Sequence, residues 1–303
     1  MLLLCSESER TSFMSDTCTV ITNPLSGSFS PRKLSGVVDF LVRQGLSPEL
    51  RQVNSPESAA GCAQAACRNH RNPLIIVGAG DGTINAVVNG LTPGSATLAV
   101  IPFGTSNVLC RELGIMSTEQ ALEKIAAGTS RNLCVGSIEK GETKQTFLLM
   151  AGIGLDGRVV KEVKTAEKRR FKKGAYLLSA LRVLRSWDTE RFEIISGSRI
   201  IDCHSVIICN GEKYGGNFLF APGASLFEPE FRVVCIQDAT RLGYLKALPG
   251  LFQGKGLSGA GILTFPASEI EIRGLKPLQA DGDYYFDAPV RIRAIPDFVK
   301  IIV

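Results

Sequence analysis

The residues with the most chemistry in them lie at 74–91, where LIIVGAGDGTINAVVNGL runs an apolar strand into Gly78, Gly80 and Gly82 around Asp81, then into an amphipathic helix. Glycines let backbone N–H groups come close to a phosphate, and the helix that follows adds its positive end. The segment suits an anion, although a glycine turn between strand and helix also serves topology alone. It is not a Walker loop: G-x-x-x-x-G-K-[ST] occurs nowhere in the chain, and the GKG at 254–256 lacks both spacing and hydroxyl. A second loop, IPFGTSNVLCRELGI at 101–115, repeats the order of strand end, small polar turn and helix start, with Thr105, Ser106 and Asn107 serving as helix caps or as ligands. A third, Asn23-Pro24-Leu25-Ser26-Gly27, follows the first strand. In a parallel sheet all three emerge at the carboxyl edge, where ligands of open α/β sheets bind. Together they argue for a nucleotide more strongly than any one does.

The carboxylates form a second pattern, with Asp-Gly at Asp81-Gly82, Asp156-Gly157 and Asp281-Gly282, each after an apolar stretch. If the three converge, they supply metal ligands plus a base, which phosphoryl transfer to an alcohol requires. For Asp281 the alternative is a plain hairpin turn, since LQADGDYYF sets Asp-Gly between two strand-like runs. No G-x-S-x-G, H-E-x-x-H or H-R-D offers a competing set. GIGLDG at 152–157 satisfies G-x-G-x-x-G, but it sits in a β-rich stretch with no strand ending in an acid about 20 residues on, so no dinucleotide fold is expected there. The two histidines, His70 and His204, lack zinc-site spacing. Nine cysteines without a C-x-x-C pair indicate reduced thiols and a cytoplasmic location.

These residues need a scaffold, and 303 residues with 45% in the hydrophobic class favour two packed domains over one. Residues 1–16 show no period and are expected to be a disordered tail. From Cys18 onward strands alternate with helices: a helix opened by Ser30-Pro31, with Leu34, Val37, Val38, Leu41 and Val42 on one face; a strand near 49–53; a helix opened by Ser55-Pro56; strands at 74–77 and 97–101; and helices at 83–91, 105–113 and 117–127. This alternation predicts an α/β domain over 17–131 with a mostly parallel sheet covered on both faces. After Arg131, apolar runs recur with turns between them, which predicts a mainly antiparallel β-sandwich domain over 132–294, interrupted by helical insertions at about 158–187 and 240–253. The last strand, about 295–303, is free to return to the first domain.

Charge is local. Arg158 to Arg185 holds ten Lys/Arg against Glu162 and Glu167, while the rest of the chain has 24 bases and 27 acids. The run is either a face for anionic lipid headgroups or a nucleotide, giving peripheral membrane contact through 158–185, or a solvated helix surface. It lacks interleaved aromatics, so nucleic acid is not an expected partner. No apolar run approaches the roughly 18 to 20 residues of a membrane span, and Leu2-Leu3-Leu4 is too short for a signal-peptide core.

Read in order, N-P-L-S-G (23–27), G-D-G-T-I-N (80–85), V-V-N-G (87–90), P-F-G-T-S-N (102–107), G-I-G-L-D (152–156), Y-G-G (214–216) with A-P-G-A (221–224), and A-D-G-D (280–283) resemble the diacylglycerol kinase catalytic-domain family, and most nearly its bacterial soluble lipid kinases related to sphingosine kinases. The resemblance covers about 18–303. It implies an N-terminal ATP-binding α/β domain, a C-terminal β-sandwich-like lipid domain, and phosphorylation of a hydroxyl of a diacylglycerol-like or sphingoid-like lipid presented at a membrane surface. By the same resemblance, Asn23, Ser26, Gly80, Gly82, Thr83 and Thr105 line the ATP site, Asn85 and Asn107 support its loops, and Asp81 organises the phosphates and Mg2+. Asp281 aligns with the general base, and Asp156 with an aspartate linked to both. Phe218, Leu219 and Phe220 are either plain core, the reading favoured here, or receivers of acyl chains.

The chain departs from the family pattern at Ala79 in place of a glycine, at Ala86 and Val108 in place of acids, at Asp283 in place of a glutamate, and at Phe227-Glu-Pro-Glu-Phe231 in place of a metal-stabilised turn. Two other readings stay open: an NAD kinase-like phosphotransferase, and a non-catalytic member that binds nucleotide or lipid. Oligomeric state, a homodimer included, is not legible.

Overall fold

The computed structural model describes residues 9–10, 16–163, 179, 182–183, 185–215 and 218–303. Internal packing divides the chain into Met1–Cys134 with Pro296–Val303, and Val135–Ile295.

The first unit alternates strand and helix. After β1 (Glu9–Arg10) come β2 (Thr17–Thr22), α1 (Pro31–Arg43), β3 (Ser47–Gln52), α2 (Pro56–Asn69), β4 (Leu74–Ala79), α3 (Asp81–Asn89), β5 (Thr97–Pro102), α4 (Val108–Glu112), α5 (Thr118–Ala127) and the start of β6 (Thr129–Lys140). The parallel sheet runs β3-β2-β4-β5, and Lys300–Ile301 of the last strand pair parallel with Thr97–Leu98 of β5. All six residues of β4 are buried, as a central strand covered on both faces requires. The edge strand β3 is largely exposed.

The cap signals set the helix starts. Ser30 Oγ accepts the Lys33 N–H with Pro31 in the first turn, and Ser55 and Ser58 form a reciprocal capping box ahead of α2. α1 buries Leu34, Val37 and Leu41, but Val42 is exposed, because the covered stripe is narrower than the apolar run in the sequence. Within the tail expected to be disordered, Glu9–Arg10 form a short strand paired antiparallel with Thr129–Ser130. Residues 1–8 and 11–15 of that tail lie outside the described residues.

The second unit takes the rest of β6, then β7 (Thr143–Phe147), β8 (Met150–Ile153), α6 (Leu155–Lys161), β9 (Phe192–Ser196), β10 (Arg199–Cys203), β11 (Ser205–Cys209), β12 (Lys213–Tyr214), β13 (Phe218–Leu219), β14 (Phe231–Ile236), α7 (Arg241–Phe252), β15 (Ile262–Ala267), β16 (Glu269–Arg273), β17 (Pro277–Ala280), β18 (Asp283–Asp287) and the first part of β19 (Val290–Ile302). Six antiparallel strands run β15-β14-β11-β8-β17-β18, and β10-β9-β16 continue to the first part of β19. Side chains alternate across the six-stranded sheet. Ala151, Ile153, Val206, Ile208, Val233 and Cys235 face a core shared with Ile194, Ile270, Ile272 and Ile292 of the other strands, which makes a sandwich. Met150, Ile207, Cys209, Val234 and Ile236 face the opposite way, onto Phe220, Ala221, Ala224, Leu257 and Ala247 of α7. The sheet is therefore apolar on both sides, which explains why its strands read as near-continuous hydrophobic runs. Of the first helical insertion, α6 is described, and 164–178, 180–181 and 184 lie outside the described residues.

Candidate functional site

The register of the first sheet pairs Thr22 with Gly78 and Ala79 with Pro102, so the loops after β2, β4 and β5 leave one edge together. They are cross-linked in all three pairings. Asn23 Nδ2 donates to Thr83 Oγ1 at 3.2 Å, joining the first loop to α3. Ser28 Oγ donates to the Gly104 carbonyl at 3.1 Å and Ser28 N–H to the Phe103 carbonyl at 2.8 Å, joining the first loop to the third. Asp81 Oδ1 accepts the Leu109 N–H at 3.0 Å, joining α3 to α4.

The glycines serve this closure. A Cβ on Gly104 would stand 2.5 Å from Gly80 Cα and 2.5 Å from Asn107 Oδ1, and one on Gly80 would stand 3.3 Å from Gly104 Cα. The absence of a side chain at both residues lets the two loops approach each other closely.

The predicted nucleotide residues divide by position. Asn23, Ser26, Thr83 and Asn107 are part-buried at the loop edge, while Gly82 and Thr105 are exposed there. Asn107 takes a left-handed backbone (φ 48°) and donates to the Gly104 carbonyl at 3.1 Å, a support within its own loop. Asn85 is buried inside α3, where its Oδ1 accepts from Asn89 Nδ2 at 2.6 Å. Ala79 is buried as well, and so are Ala86 and Val108, so the two positions where acids are missing belong to the packed layer under the loops. Burial, and then the neighbouring Asp81, pushes the Cys110 thiol up to about 12, which keeps it protonated.

In the second unit, β17 and β18 form a hairpin around Asp281 and Gly282, both with positive φ (49° and 87°), the type I′ geometry that Asp-Gly favours. The hairpin expected as the alternative for Asp281 is present, and its turn aims the side chain at the backbone that leads into β8. Its Oδ2 accepts the Leu148 N–H at 2.7 Å, and its Oδ1 accepts the N–H groups of Leu149 and Met150 at 2.9 and 3.0 Å. Asn210 holds the same backbone by its carbonyls, with Nδ2 on Leu148 O and N–H on Leu149 O, each at 2.8 Å.

Asp156, on α6, is reached from two sides. Tyr214 Oη donates to its Oδ1 and Gln279 Nε2 to its Oδ2, both at 2.6 Å. Gln279 Oε1 in turn accepts the Gly282 N–H at 2.9 Å. Burial pushes the Asp156 carboxyl above the usual carboxylate range, and the two donors partly offset it. The GIGLDG match is strand, turn and helix in an antiparallel sheet, not a dinucleotide fold: Gly157 is needed because a Cβ would meet the Pro277 carbonyl of β17 at 2.0 Å.

Sequence reasoning missed Gln279 and Asn210. Asn210 had one signal, an Asn-Gly after an apolar run, and Gln279 had only its place two residues before Asp281. The residues expected as core split, since Phe220 is buried, Leu219 part-buried and Phe218 51% exposed. The basic run is partly engaged by the protein itself. Arg158 pairs with Glu162 at 3.1 Å and Asp188 at 3.5 Å, Lys161 pairs with Asp287 at 2.9 Å, and Arg182 donates to the Glu162 carbonyl at 2.9 Å. Its six bases from Lys164 to Lys173 lie outside the described residues. Among the described residues, no helix is long and apolar enough to cross a membrane, and no three His, Cys, Asp or Glu side chains form a metal cluster.

Comparison with known proteins gives this geometry relatives. Residues 17–138 match the diacylglycerol kinase catalytic domain, and residues 150–303 match the YegS C-terminal NAD kinase beta sandwich-like domain. The chain is similar to a diacylglycerol kinase of Bacillus subtilis (strain 168), 26% identical over 88% of this chain and 89% of that one. It is also similar to a diacylglycerol kinase of Mycobacterium tuberculosis (strain ATCC 25618 / H37Rv), 24% identical over 94% of each. The fold is shared with the crystal structure of a diacylglycerol kinase from Bacillus anthracis str. Sterne, with a TM-score of 0.71 at 21% identity over 95% of this chain and 96% of that one. A further crystal structure from the same organism aligns with a TM-score of 0.78 at 23% identity over 99% and 98%.

Proposed function

The chain belongs to the diacylglycerol kinase catalytic-domain family and is a lipid kinase of that family; from that premise we propose that it transfers the γ-phosphate of ATP to a hydroxyl of a diacylglycerol-like or sphingoid-like lipid. The observation that carries the reading is the Asp281 carboxylate, anchored by three backbone N–H donors and tied through Gln279 to Asp156. Phosphoryl transfer asks the protein chiefly for position and charge, and an anchored carboxylate supplies position. Asp281 accepts the proton of the lipid hydroxyl as its oxygen bonds to the γ-phosphorus, and the bond from that phosphorus to the bridging oxygen breaks to leave ADP. Asp156, Gln279 and Tyr214 orient that carboxylate and its turn.

On the first unit, the loops bearing Asn23, Ser26, Gly80, Gly82, Thr83 and Thr105 receive the nucleotide. Mg2+ at such a site would need one or two protein carboxylates, the remaining ligands being phosphate oxygens and water. Asp81, between the glycine loops, would hold it together with the phosphates, a reading supported by its position in α3 beside the start of α4. Mg2+ supplies charge neutralisation on the phosphate oxygens when bound.

The test is transfer of labelled γ-phosphate from Mg-ATP into the organic phase from mixed micelles, with NAD as acceptor in a parallel aqueous assay and Asp281→Asn as control. Labelled lipid that falls about a hundredfold or more in the variant supports the reading, from the usual size of acid–base contributions. Labelled NAD instead would support the NAD kinase-like alternative, which the description of the second matched domain keeps in view. ATP binding with no product from any acceptor would favour a non-catalytic member.

A further inference from the structure

The helix α7 is apolar on both faces, and among the described residues the second unit covers one of them. Inward, Ala247 is buried, and Tyr244 and Leu251 pack with it against the six-stranded sheet at the helical spacing i, i+3, i+7. Outward, Leu242 is 59% exposed, Leu245 is 61% exposed, and the exposed Pro249 completes the same spacing. Leucines at this spacing on solvent form a stripe that a soluble surface helix ordinarily fills with polar residues.

The helix and the loop after it carry charge of one sign. Arg241 and Lys246 on the helix and Lys255 just beyond it are exposed, and the thirty residues from Ala239 to Ser268 contain no Asp or Glu. The nearest acid in sequence, Asp238, is engaged at the helix start, where its Oδ1 accepts the Thr240 N–H at 2.8 Å, and offsets part of the charge of Lys246. Arg241 lies over the Trp187 ring at 5.9 Å, an amphipathic pair of the kind enriched at membrane interfaces.

We propose that the outer face of α7 docks on the surface of an anionic lipid bilayer, with Leu242 and Leu245 entering the headgroup boundary and Arg241, Lys246 and Lys255 meeting the lipid phosphates. A second protein surface is the less fitting occupant, because thirty residues without an acid match a continuous negative surface better than a mixed-charge one. At twelve residues the helix lies on a bilayer and does not span it. The docking is separate from phosphotransfer and is read without ATP, so either reading can fail while the other stands.

The experiment is co-sedimentation of the full chain with vesicles of phosphatidylcholine alone and with about one-third phosphatidylglycerol, at low and high salt. The native chain binds the anionic vesicles, and salt weakens it. Leu242→Ser/Leu245→Ser loses about tenfold or more, from the apolar area withdrawn. Arg241→Gln/Lys246→Gln loses roughly twenty-fold, about fivefold for each cation. Both variants keep the native melting temperature, because all four side chains are exposed. Native binding that neither variant weakens, or no native binding to anionic vesicles, overturns the proposal. So does a native dimer that the leucine variant converts to a monomer, since a second copy would then cover the face.

Discussion

Asp156 is joined to Gln279 by a 2.6 Å hydrogen bond, and the other end of the same amide accepts the N–H of Gly282 at 2.9 Å. One side chain thus ties a carboxylate on α6 to the turn that carries Asp281. Gln279 is 1% exposed, so neither bond is replaced by water when it is lost.

Gln279→Met keeps the volume and removes both bonds. The part-buried Asp156 carboxylate and the Gly282 N–H then each lose a hydrogen bond, which costs on the order of 2 to 6 kcal/mol at about 1 to 3 for each. Phosphotransfer falls on the order of a hundredfold through misplacement of the turn, while the KM for ATP, set by the other unit, stays near native. Denaturant melts and initial rates check both, and an unchanged kcat would leave Gln279 a purely structural residue.

Asp281→Asn keeps a residue that tolerates the left-handed backbone at φ 49°. An amide has one acceptor oxygen where the carboxylate has two, so at least one of the three N–H donors is stranded and stability falls by about 1 to 3 kcal/mol. Asp281→Ala strands all three N–H donors and adds about 1 kcal/mol of left-handed strain, so it melts below Asp281→Asn. If Asp281 only held the β8 backbone, kcat in the two variants would follow their melting temperatures. As a base, it leaves both similarly inactive at a temperature where each is folded.

The elements of the first unit were legible because their signals are local: a serine cap before a proline, a four-residue apolar run, a glycine at the turn. The outward Val42 shows the limit of that logic. Periodicity locates an apolar stripe, but the width of the covered stripe depends on what packs there. Asp281 shows another limit. Its Asp-Gly turn is local and readable, yet its acceptor role depends on backbone 131 to 133 residues away, which no spacing rule reaches. Gly80 was visible as a need for close approach, while its contact with Gly104 is set by the loops meeting in space.

That meeting makes a graded pair of substitutions. Gly104→Ala places a methyl 2.5 Å from Gly80 Cα, which is backbone and cannot turn aside, so the loops must part. The cost is about 1 to 3 kcal/mol, the usual range for overpacking, with ATP affinity falling as the shared edge opens. Gly80→Ala meets its nearest atom at 3.3 Å and is expected to be milder in both readouts. Thermal melts with and without Mg-ATP check this, and equal costs would mean that the loops yield independently.

The last expectation concerns pH. His204 is 4% exposed and stacks on Trp187, with Nδ1 2.7 Å from Tyr244 Oη and Nε2 3.0 Å from the Asp188 carbonyl. A carbonyl only accepts, so Nε2 donates and Nδ1 of the neutral ring accepts the tyrosine proton. Burial holds the ring below its ordinary value of 6.5; the Asp188 carboxylate, 3.9 Å away, works against that, and Lys276 and Arg191 work with it. The unfolded chain therefore binds a proton at His204 that the folded one refuses, so the contribution to stability is complete above about 6.5 and declines as pH falls below it. Asp188, held below the usual carboxylate range, titrates further down and leaves this window clear. His204→Gln, whose amide offers one donor and one acceptor but does not titrate, should flatten the loss of melting temperature between about pH 7 and 5.5. Tyr244 Oη also lies 2.6 Å from Ser205 Oγ, which accepts the Leu155 N–H at the start of α6. Protonating His204 makes Nδ1 a donor and obliges the tyrosine hydroxyl to turn, so the same acid limb should appear in kcat of the native chain and shrink in the variant. A native melting temperature that does not change across that range would show that His204 binds its proton equally well in the folded and unfolded chains.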